Sequence, residues 1–181
     1  MKKVLILSGS PRKEGNSDIL CNQFMQGALD AGNEVEKIRV TEKKIAPCTG
    51  CYFCKDNGGR CAFNDDMGDI LQKMIDCDVL VLATPVYFYS MCAQLKTVID
   101  RTVARWTELA NKELFYIMTA AENDEDTMDS TLASLHGFAR CIDGYEEKGV
   151  LYGKGVYEKG EVLGREELMQ IAYEMGNSIR D

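Results

Sequence analysis

Five short apolar runs alternate with five amphipathic segments along the chain. The apolar runs are KVLIL, EVEKIRV, DVLVLAT, ELFYIMT and KGVLYG, at residues 3–7, 34–40, 78–84, 113–119 and 148–153. The first, third and fourth are almost continuously apolar, as strands covered on both faces of a parallel sheet are. Apolar residues recur at helical spacing in segments 17–32, 66–77, 93–106, 128–142 and 165–179. Five successive strand–helix units predict an α/β fold with a three-layer, doubly wound, five-stranded parallel sheet.

Length and charge limit what such a fold can do. The 181 residues contain no linker, repeat or low-complexity segment, so we expect one domain over residues 1–181. A net charge of −8 without a basic stripe argues against nucleic acid as a partner. The apolar run in the opening MKKVLILSGS is too short for the hydrophobic region of a secretion signal. No apolar run is long enough to cross a bilayer. We therefore expect a cytoplasmic protein with no membrane partner, in a compartment where thiols stay reduced.

The loop SGSPRKEGNS, Ser8 to Ser17, joins the first strand to the first helix. Its glycines, hydroxyls and arginine meet a helix N-terminus, which is the composition of an anion site. It contains neither the Gly-Lys-Ser/Thr of a Walker loop nor the G-x-G-x-x-G of a dinucleotide site. The loop therefore predicts phosphate binding, and the alternative is a tight turn with Asn16 or Ser17 as the helix cap.

Three consecutive aromatic residues, Tyr87, Phe88 and Tyr89, follow the third strand directly. In a doubly wound sheet, ligands bind beyond the carboxyl ends of the strands, so these rings would lie at the ligand-binding edge. A flat ring system is one partner for them, and burial over the core or at a subunit interface is the alternative. A phosphate loop beside an aromatic platform predicts a phosphorylated planar cofactor such as FMN.

Four cysteines, Cys48, Cys51, Cys54 and Cys61, stand within one short glycine-containing segment. Spacings of two, two and six residues allow the four thiolates to surround one 4Fe-4S cube. Zinc also accepts four thiolates, although its sites usually come as two separated C-x-x-C pairs. A third interpretation is a loop without any metal. The other cysteines lie in helical patterns and are expected to be small core residues: Cys21, Cys77, Cys92 and Cys141.

Three segments resemble the flavodoxin-fold family of NAD(P)H-dependent FMN reductases: GSPRKEGNS, PVYFYSMCAQLKTVIDR and KGVLYGKGVYEKGEV. The segment CTGCYFCKDNGGRC, followed by NDDM, resembles the iron–sulfur flavoprotein branch of that family. The similarity extends over essentially the whole chain, with the segments in the same order. It implies a flavodoxin-like sheet with strand order 2-1-3-4-5, noncovalent FMN and a 4Fe-4S cluster on the four clustered cysteines.

The resemblance also assigns residues to the cofactor. It implies that the flavin ring lies against residues 85–88 and that residues 119–122 close the other side. The residues implied to hold the phosphate are Ser10, Arg12, Asn16 and Ser17. The complete expected set is Ser8, Ser10, Pro11, Arg12, Asn16, Ser17, Pro85, Val86, Tyr87, Phe88, Thr119, Ala120, Ala121 and Glu122.

Two function classes remain open. The first is an oxidoreductase that passes electrons from NAD(P)H or a ferredoxin through FMN to a small-molecule acceptor such as a quinone or a flavin. The second is a flavodoxin-like carrier that moves electrons between partner proteins. Because the flavin carries the chemistry, no catalytic side chain is expected, and His136 is expected to be a packing or surface residue. The exposed aromatic segment and Trp106 favour a homodimer or a dimer of dimers.

Overall fold

One sheet organises this computed structural model, which describes residues 1–180. Its strands are β1 (Lys3–Ser8), β2 (Glu34–Arg39), β3 (Val79–Tyr87), β4 (Ser90–Met91), β5 (Glu113–Thr119) and β6 (Glu146–Gly153). The main path runs β2-β1-β3-β5-β6 and is parallel throughout. This confirms the predicted order of the five parallel strands. The full sheet differs from the prediction by β4, a two-residue strand that pairs antiparallel with the end of β3.

Helices cover both faces of the sheet. They are α1 (Asn16–Asp30), α2 (Phe53–Asp56), α3 (Met67–Asp76), α4 (Ala93–Arg101), α5 (Asp129–Ala139) and α6 (Glu166–Asn177). Alternate residues of a strand point to opposite faces. Val4 and Ile6 of β1 accordingly pack with Phe24 of α1, while Leu5 and Leu7 lie in the apolar cluster on the other face. The second cluster includes side chains of α3, α4 and α5, so the predicted three-layer arrangement is confirmed.

The helix expected over residues 93–106 ends at Arg101. Two 3-10 turns, Thr102–Ala104 and Trp106–Glu108, replace its last part. Thr102 and Val103 are β-branched and favour helices weakly. The Thr102 hydroxyl also donates to the Ile99 carbonyl at 2.7 Å. The predicted helix was therefore too long. Apolar residues continue at helical spacing after Arg101, but the backbone is no longer α-helical there.

Three of the four cysteines outside the clustered segment are buried as expected: Cys21, Cys77 and Cys92. Cys141 is exposed, so its assignment to the core was wrong. His136 has the expected packing role, since its Nε2 lies 2.6 Å from Glu147 and its ring makes an edge contact with Tyr116. Within residues 1–180, no helix is both long enough and apolar enough to cross a membrane.

Candidate functional site

The loop after β1 leads directly into the N-terminus of α1. Its backbone is fixed to the sheet where the Gly9 amide donates to the Ala83 carbonyl at 2.8 Å. Gly15 is the N-cap of the helix and no side chain caps it, so the alternative interpretation, a cap at Asn16 or Ser17, was wrong. A Cβ at Gly15 would lie 2.7 Å from Ser10 Oγ, so this tight turn requires glycine. The first turn of α1 therefore presents backbone N–H groups without helical partners, a favourable environment for an anion.

A cavity of about 120 Å³ opens where the loop after β1, the end of β3 and the loop after β5 meet. Ten of the expected cofactor-binding residues line it: Ser10, Arg12, Asn16, Ser17, Pro85, Val86, Tyr87, Thr119, Ala120 and Ala121. Three further residues line it that the sequence analysis had not named: Gly15, Val156 and Tyr157. The expected residues that do not line it are Ser8, Pro11, Phe88 and Glu122. Residues predicted from separate loops therefore meet at one cavity, and the segment after β6, which was not predicted to take part, lines it as well.

Ser17 carries an unsatisfied hydroxyl at this cavity. The residue is 1% exposed, and its Oγ has no hydrogen-bond partner among residues 1–180. A buried polar group left unpaired costs about 1–3 kcal/mol. An acceptor on a ligand at the N-terminus of α1 would satisfy this donor. The donor set of the loop therefore fits a phosphate group.

Arg12 and Asn16 connect the same loop to the segment after β6. Arg12 is exposed, and its Nη1 donates to the Tyr157 carbonyl at 3.0 Å. The Asn16 amide donates to the Glu158 carbonyl at 2.9 Å and accepts from the Val162 amide at 3.2 Å. Both ends of the Asn16 side chain are therefore occupied within the protein. Asn16 shapes the cavity wall, whereas Arg12 retains donors that can reach an anion.

The aromatic residues after β3 form the tip of a two-residue hairpin between β3 and β4. Phe88 and Tyr89 both have positive φ, at 48° and 60°, a conformation that hairpin turns usually assign to glycine or asparagine. Phe88 is 100% exposed, and Tyr87 and Tyr89 are exposed beside it. Bulky residues in this region each cost about 1–3 kcal/mol. The chain therefore holds two aromatic rings in a strained turn at the rim of the cavity.

The buried carboxylate of Asp18 forms hydrogen bonds with residues at both ends of the loop after β1. It accepts hydrogen bonds from the Ser8 hydroxyl at 2.9 Å and from the Glu14 amide at 3.1 Å. Lys37 lies 2.6 Å and Arg39 3.4 Å from its oxygens. Burial alone would raise the pKa of Asp18, but the hydrogen bond and charge of Lys37, with the other donors, lower it below its usual range. Ser8, expected at the cofactor, instead orients Asp18.

Asp18 was not predicted from the sequence, although the sequence contains a signal for it. Asp18 follows Ser17 directly in the first helical turn, and Lys37 and Arg39 stand two apart on a strand next to β1. Residues two apart on a strand share a face. An acid in the first turn of α1 opposite two cations on one strand face is a pattern that could have predicted this network.

A second cavity, of about 200 Å³, is lined by all four clustered cysteines. Phe63 from the same segment, Arg101 of α4 and Val103 from the turn after it also line this cavity. Within residues 1–180, however, no three or more histidine, cysteine, aspartate or glutamate side chains are grouped so that they could hold a metal ion. The donor set thus has the chemistry of a cluster site, but the sulfur atoms are not gathered around one point.

Among these cysteines, Cys51 has a distinct environment. The Phe53 amide, and then the Thr49 hydroxyl, form hydrogen bonds to its sulfur and lower the pKa of Cys51. The side chain is exposed. Exposed thiols with a lowered pKa are the ones that bind metals or react.

The family profile described as NADPH-dependent FMN reductase matches residues 2–139 of this chain. The chain belongs to this family. It is therefore an oxidoreductase of a class that depends on FMN and NAD(P)H. This membership agrees with the sheet topology and with the loop at its carboxyl edge whose donors fit a phosphate group.

Relatives of this family member include two archaeal proteins named iron-sulfur flavoprotein. One, from Methanocaldococcus jannaschii, is 36% identical over 138 residues, which cover 75% of this chain and 70% of the relative. The other, from Archaeoglobus fulgidus, is 43% identical over 101 residues, which cover 56% of this chain and 45% of the relative. The chain thus matches less than half the length of the second relative.

Solved structures share the fold at low sequence identity. The NAD(P)H:quinone oxidoreductase of Methanothermobacter marburgensis superposes with a TM-score of 0.72 at 17% identity, covering 99% of this chain and 96% of that one. A flavone reductase superposes with a TM-score of 0.74 at 21% identity, covering 97% of this chain and 60% of that one. These similarities establish the flavodoxin-like fold.

Proposed function

We propose that this chain, as a single FMN-binding domain over residues 1–181, passes electrons from NAD(P)H or a ferredoxin to a small-molecule acceptor such as a quinone or a flavin. The observation that carries the proposal is the unpaired Ser17 hydroxyl in a cavity bounded by a helix N-terminus and an aromatic rim. Family membership supports the same cofactor. The names of the related structures, a quinone oxidoreductase and a flavone reductase, support a small planar acceptor.

The proposed division of roles follows the geometry of the cavity. Ser10, Arg12 and Ser17 bind the phosphate together with the first amides of α1. Pro85, Val86 and Tyr87 contact the ring from β3, while Thr119, Ala120 and Ala121 bound it from β5. The enclosed volume of about 120 Å³ is below the usual range of about 300–1,000 Å³ for ligand pockets, so a nucleotide would extend beyond it over the aromatic rim.

FMN supplies the electron-transfer chemistry when it is bound. The protein then has three tasks: to hold the phosphate, to place the ring at the sheet edge and to exclude water from one of its faces. Small side chains at Ala120 and Ala121 leave room for the ring next to the backbone of β5. The exposed Tyr87 and Phe88 remain available to contact the ring or a planar acceptor.

We further propose that Cys48, Cys51, Cys54 and Cys61 hold a 4Fe-4S cluster. Their shared cavity, the lowered pKa of Cys51 and the relatives named iron-sulfur flavoprotein support this. Anaerobic incubation with iron and sulfide should give wild type, but not Cys51→Ser, a stable broad visible absorbance. Cys141→Ser removes an exposed thiol outside the segment and should behave as wild type. Equal absorbance in wild type and Cys51→Ser would contradict the proposal.

The FMN site is tested with an Arg12→Ala/Ser17→Ala double variant. Charge-assisted hydrogen bonds contribute about 1.5–3 kcal/mol each, so FMN should bind at least about tenfold more weakly to the variant, measured by quenching of flavin fluorescence. The control variant is Arg140→Ala/Ser178→Ala, which truncates exposed side chains that do not line the cavity. Wild-type affinity in the first variant would contradict the assignment of the phosphate site.

The same proteins separate enzyme from carrier. With FMN bound, wild type should oxidise NADPH or NADH catalytically when benzoquinone is present, and the Arg12→Ala/Ser17→Ala variant should lose this activity at limiting FMN. If wild type binds FMN but does not turn over with either nucleotide, the oxidoreductase proposal is wrong for NAD(P)H. The alternative, a flavodoxin-like carrier between proteins, would then be favoured.

We also propose a homodimer or a dimer of dimers, located in the cytoplasm. Exposed thiols at Cys48 and Cys51 are compatible with a reducing compartment.

A further inference from the structure

Arg101, the last residue of α4, sends its charged group into the base of the cysteine segment. Its side chain is 2% exposed. Nη1 donates to the Ala46 carbonyl at 2.6 Å and to Asp65 Oδ2 at 2.8 Å, and Nη2 donates to Asp65 Oδ1 at 2.9 Å. Nη2 also donates to Cys61 Sγ at 3.4 Å, and the guanidinium carbon lies 5.2 Å from the centre of the Phe63 ring. One buried cation thus contacts both ends of the segment and one of its thiols.

These contacts hold the two ends of the cysteine segment, residues 46–65, close together, and we call this junction the neck. The Ala46 amide donates to Asp65 Oδ2 at 2.9 Å. Asp65 therefore links the start of the segment to Arg101. Just outside the segment, the Asp66 amide donates to the Lys44 carbonyl at 3.0 Å, and the Asp66 carboxylate accepts from the Lys44 amide at 2.6 Å. Between the neck and the tip of the segment, the four-residue helix α2 is the only regular structure in residues 46–65. Its position relative to the rest of the protein therefore depends strongly on the neck.

The bidentate pair with Asp65 is specific to arginine. A guanidinium presents its donors in a planar fork that matches a carboxylate, whereas a lysine ammonium is a single point charge. The same fork extends to the Ala46 carbonyl and the Cys61 sulfur, so four acceptor contacts share one rigid plane. Burial of this charge is tolerated because Asp65 neutralises it.

The other end of α4 contacts the loop after β1 and the strand β3. The Cys92 amide, just before the helix, donates to Thr84 Oγ1 at 2.9 Å, and the Cys92 thiol donates to the Gly9 carbonyl at 3.1 Å. Gly9 belongs to the loop that we assign to the phosphate. α4 has nine residues and is about 13 Å long, so one rigid element connects the proposed flavin loop with the cysteine segment.

We propose that Arg101 is a positioning residue that fixes Cys61 at the cysteine cavity and raises the reduction potential of the cluster through its hydrogen bond to the Cys61 sulfur. This inference rests on the proposed cluster. A hydrogen bond donated to a ligand sulfur stabilises the reduced cluster, which carries more negative charge. Arg101 is buried and rigidly held, so water screens its effect less than that of a surface cation.

The test compares Arg101→Lys with Arg165→Lys. Arg165 is exposed and donates to the Gly155 carbonyl at 2.7 Å, after β6. In protein without iron, hydrogen exchange across residues 46–65 should be about tenfold faster in Arg101→Lys than in wild type, which corresponds to about 1.4 kcal/mol. Arg165→Lys should exchange like wild type. In reconstituted protein, the cluster of Arg101→Lys should have a more negative midpoint potential, which a purely structural role would not require.

Each outcome decides one part of the inference. Unchanged exchange in Arg101→Lys would overturn the positioning role, and an unchanged potential would overturn the tuning role. If wild type takes up no cluster, the cluster proposal and the tuning role both fail, while the exchange measurement still decides the positioning role. Should Arg101→Lys not fold, Asp65→Asn keeps Arg101 and removes its bidentate partner, and it should speed hydrogen exchange across residues 46–65 in the same way.

Discussion

At the scale of single residues, this chain stores charge beneath the loop that we assign to phosphate. Asp18 is buried between the end of β1 and the first turn of α1, and two cations and two hydrogen-bond donors compensate it. The Glu14 amide that it binds belongs to a residue with φ of 57°, a strained conformation. The carboxylate therefore stabilises a backbone shape that the loop would not adopt readily by itself.

Asp18→Asn should lower the free energy of unfolding by about 1–3 kcal/mol near neutral pH, because Lys37 and Arg39 lose their buried counter-charge. The folded pKa of Asp18 is lowered, so its contribution is present above the unfolded pKa of about 3.9 and is lost as pH falls through the folded value. Urea unfolding of wild type and variant should therefore differ most near neutral pH and converge in acid.

Asp100→Asn is the matched control for this experiment. Asp100 pairs with Lys96 on the surface of α4, and such pairs contribute about 0.5 kcal/mol or less. A difference between wild type and Asp18→Asn that stays constant down to the acid limb would mean that the lost charge is not the cause.

At the scale of elements, helices α1 and α6 approach each other unusually closely. A Cβ at Gly27 would lie 2.0 Å from the Tyr173 carbonyl oxygen, and a Cβ at Gly176 would lie 2.0 Å from the Phe24 carbonyl oxygen. The two glycines therefore let the helix backbones touch. This packing helps to hold α1, and with it the N-terminus that we assign to the phosphate, in place against the sheet.

Gly27→Ala should destabilise the protein and weaken FMN binding, because the methyl group would push α1 away from α6 and shift the start of the helix. Overpacking of this kind costs about 1–3 kcal/mol. Gly68→Ala in α3 is the control, since a Cβ there meets no atom within 4 Å and alanine favours a helix by about 0.5–1 kcal/mol. Thermal unfolding should rank Gly68→Ala at or above wild type and Gly27→Ala below it, and the opposite order would contradict this account.

At the scale of the whole molecule, one apolar groove remains open to solvent. It has a volume of about 450 Å³ and lies between the end of α4 and α5. Trp106 and Val103 on its rim are 44% and 50% exposed. Exposed apolar surface next to a fully exposed Phe88 hairpin is the kind of surface that oligomers cover.

Sedimentation of the FMN-bound protein should give at least twice the mass of the 20.2 kDa chain. Trp106→Arg should shift the population toward monomer, because it places a charge at the proposed interface. Leu163→Arg changes a residue that is also well exposed but lies outside the groove, and it should leave the assembly intact. A monomer with bound FMN in the wild type would contradict the dimer.

The sequence by itself determined which segments form strands and helices and which loops form the candidate site. Those features depend on local patterns: apolar periodicity specifies strands and helices, and parallel strands bring their following loops to one edge. Ten of the expected residues line one cavity for this reason. Local patterns did not predict the end of α4, because the apolar periodicity continues beyond its last helical residue.

The tertiary structure alone decided how individual side chains are used. Asn16 binds Glu158 and Val162, Ser8 binds Asp18, and Arg101 binds Asp65, so most of these contacts join residues far apart in the chain. Such partners are selected by packing, because a buried polar group takes whichever donor or acceptor the fold brings within about 3 Å. Residue spacing gives no distance between separate elements, so the sequence could name the loops but not the hydrogen bonds within them.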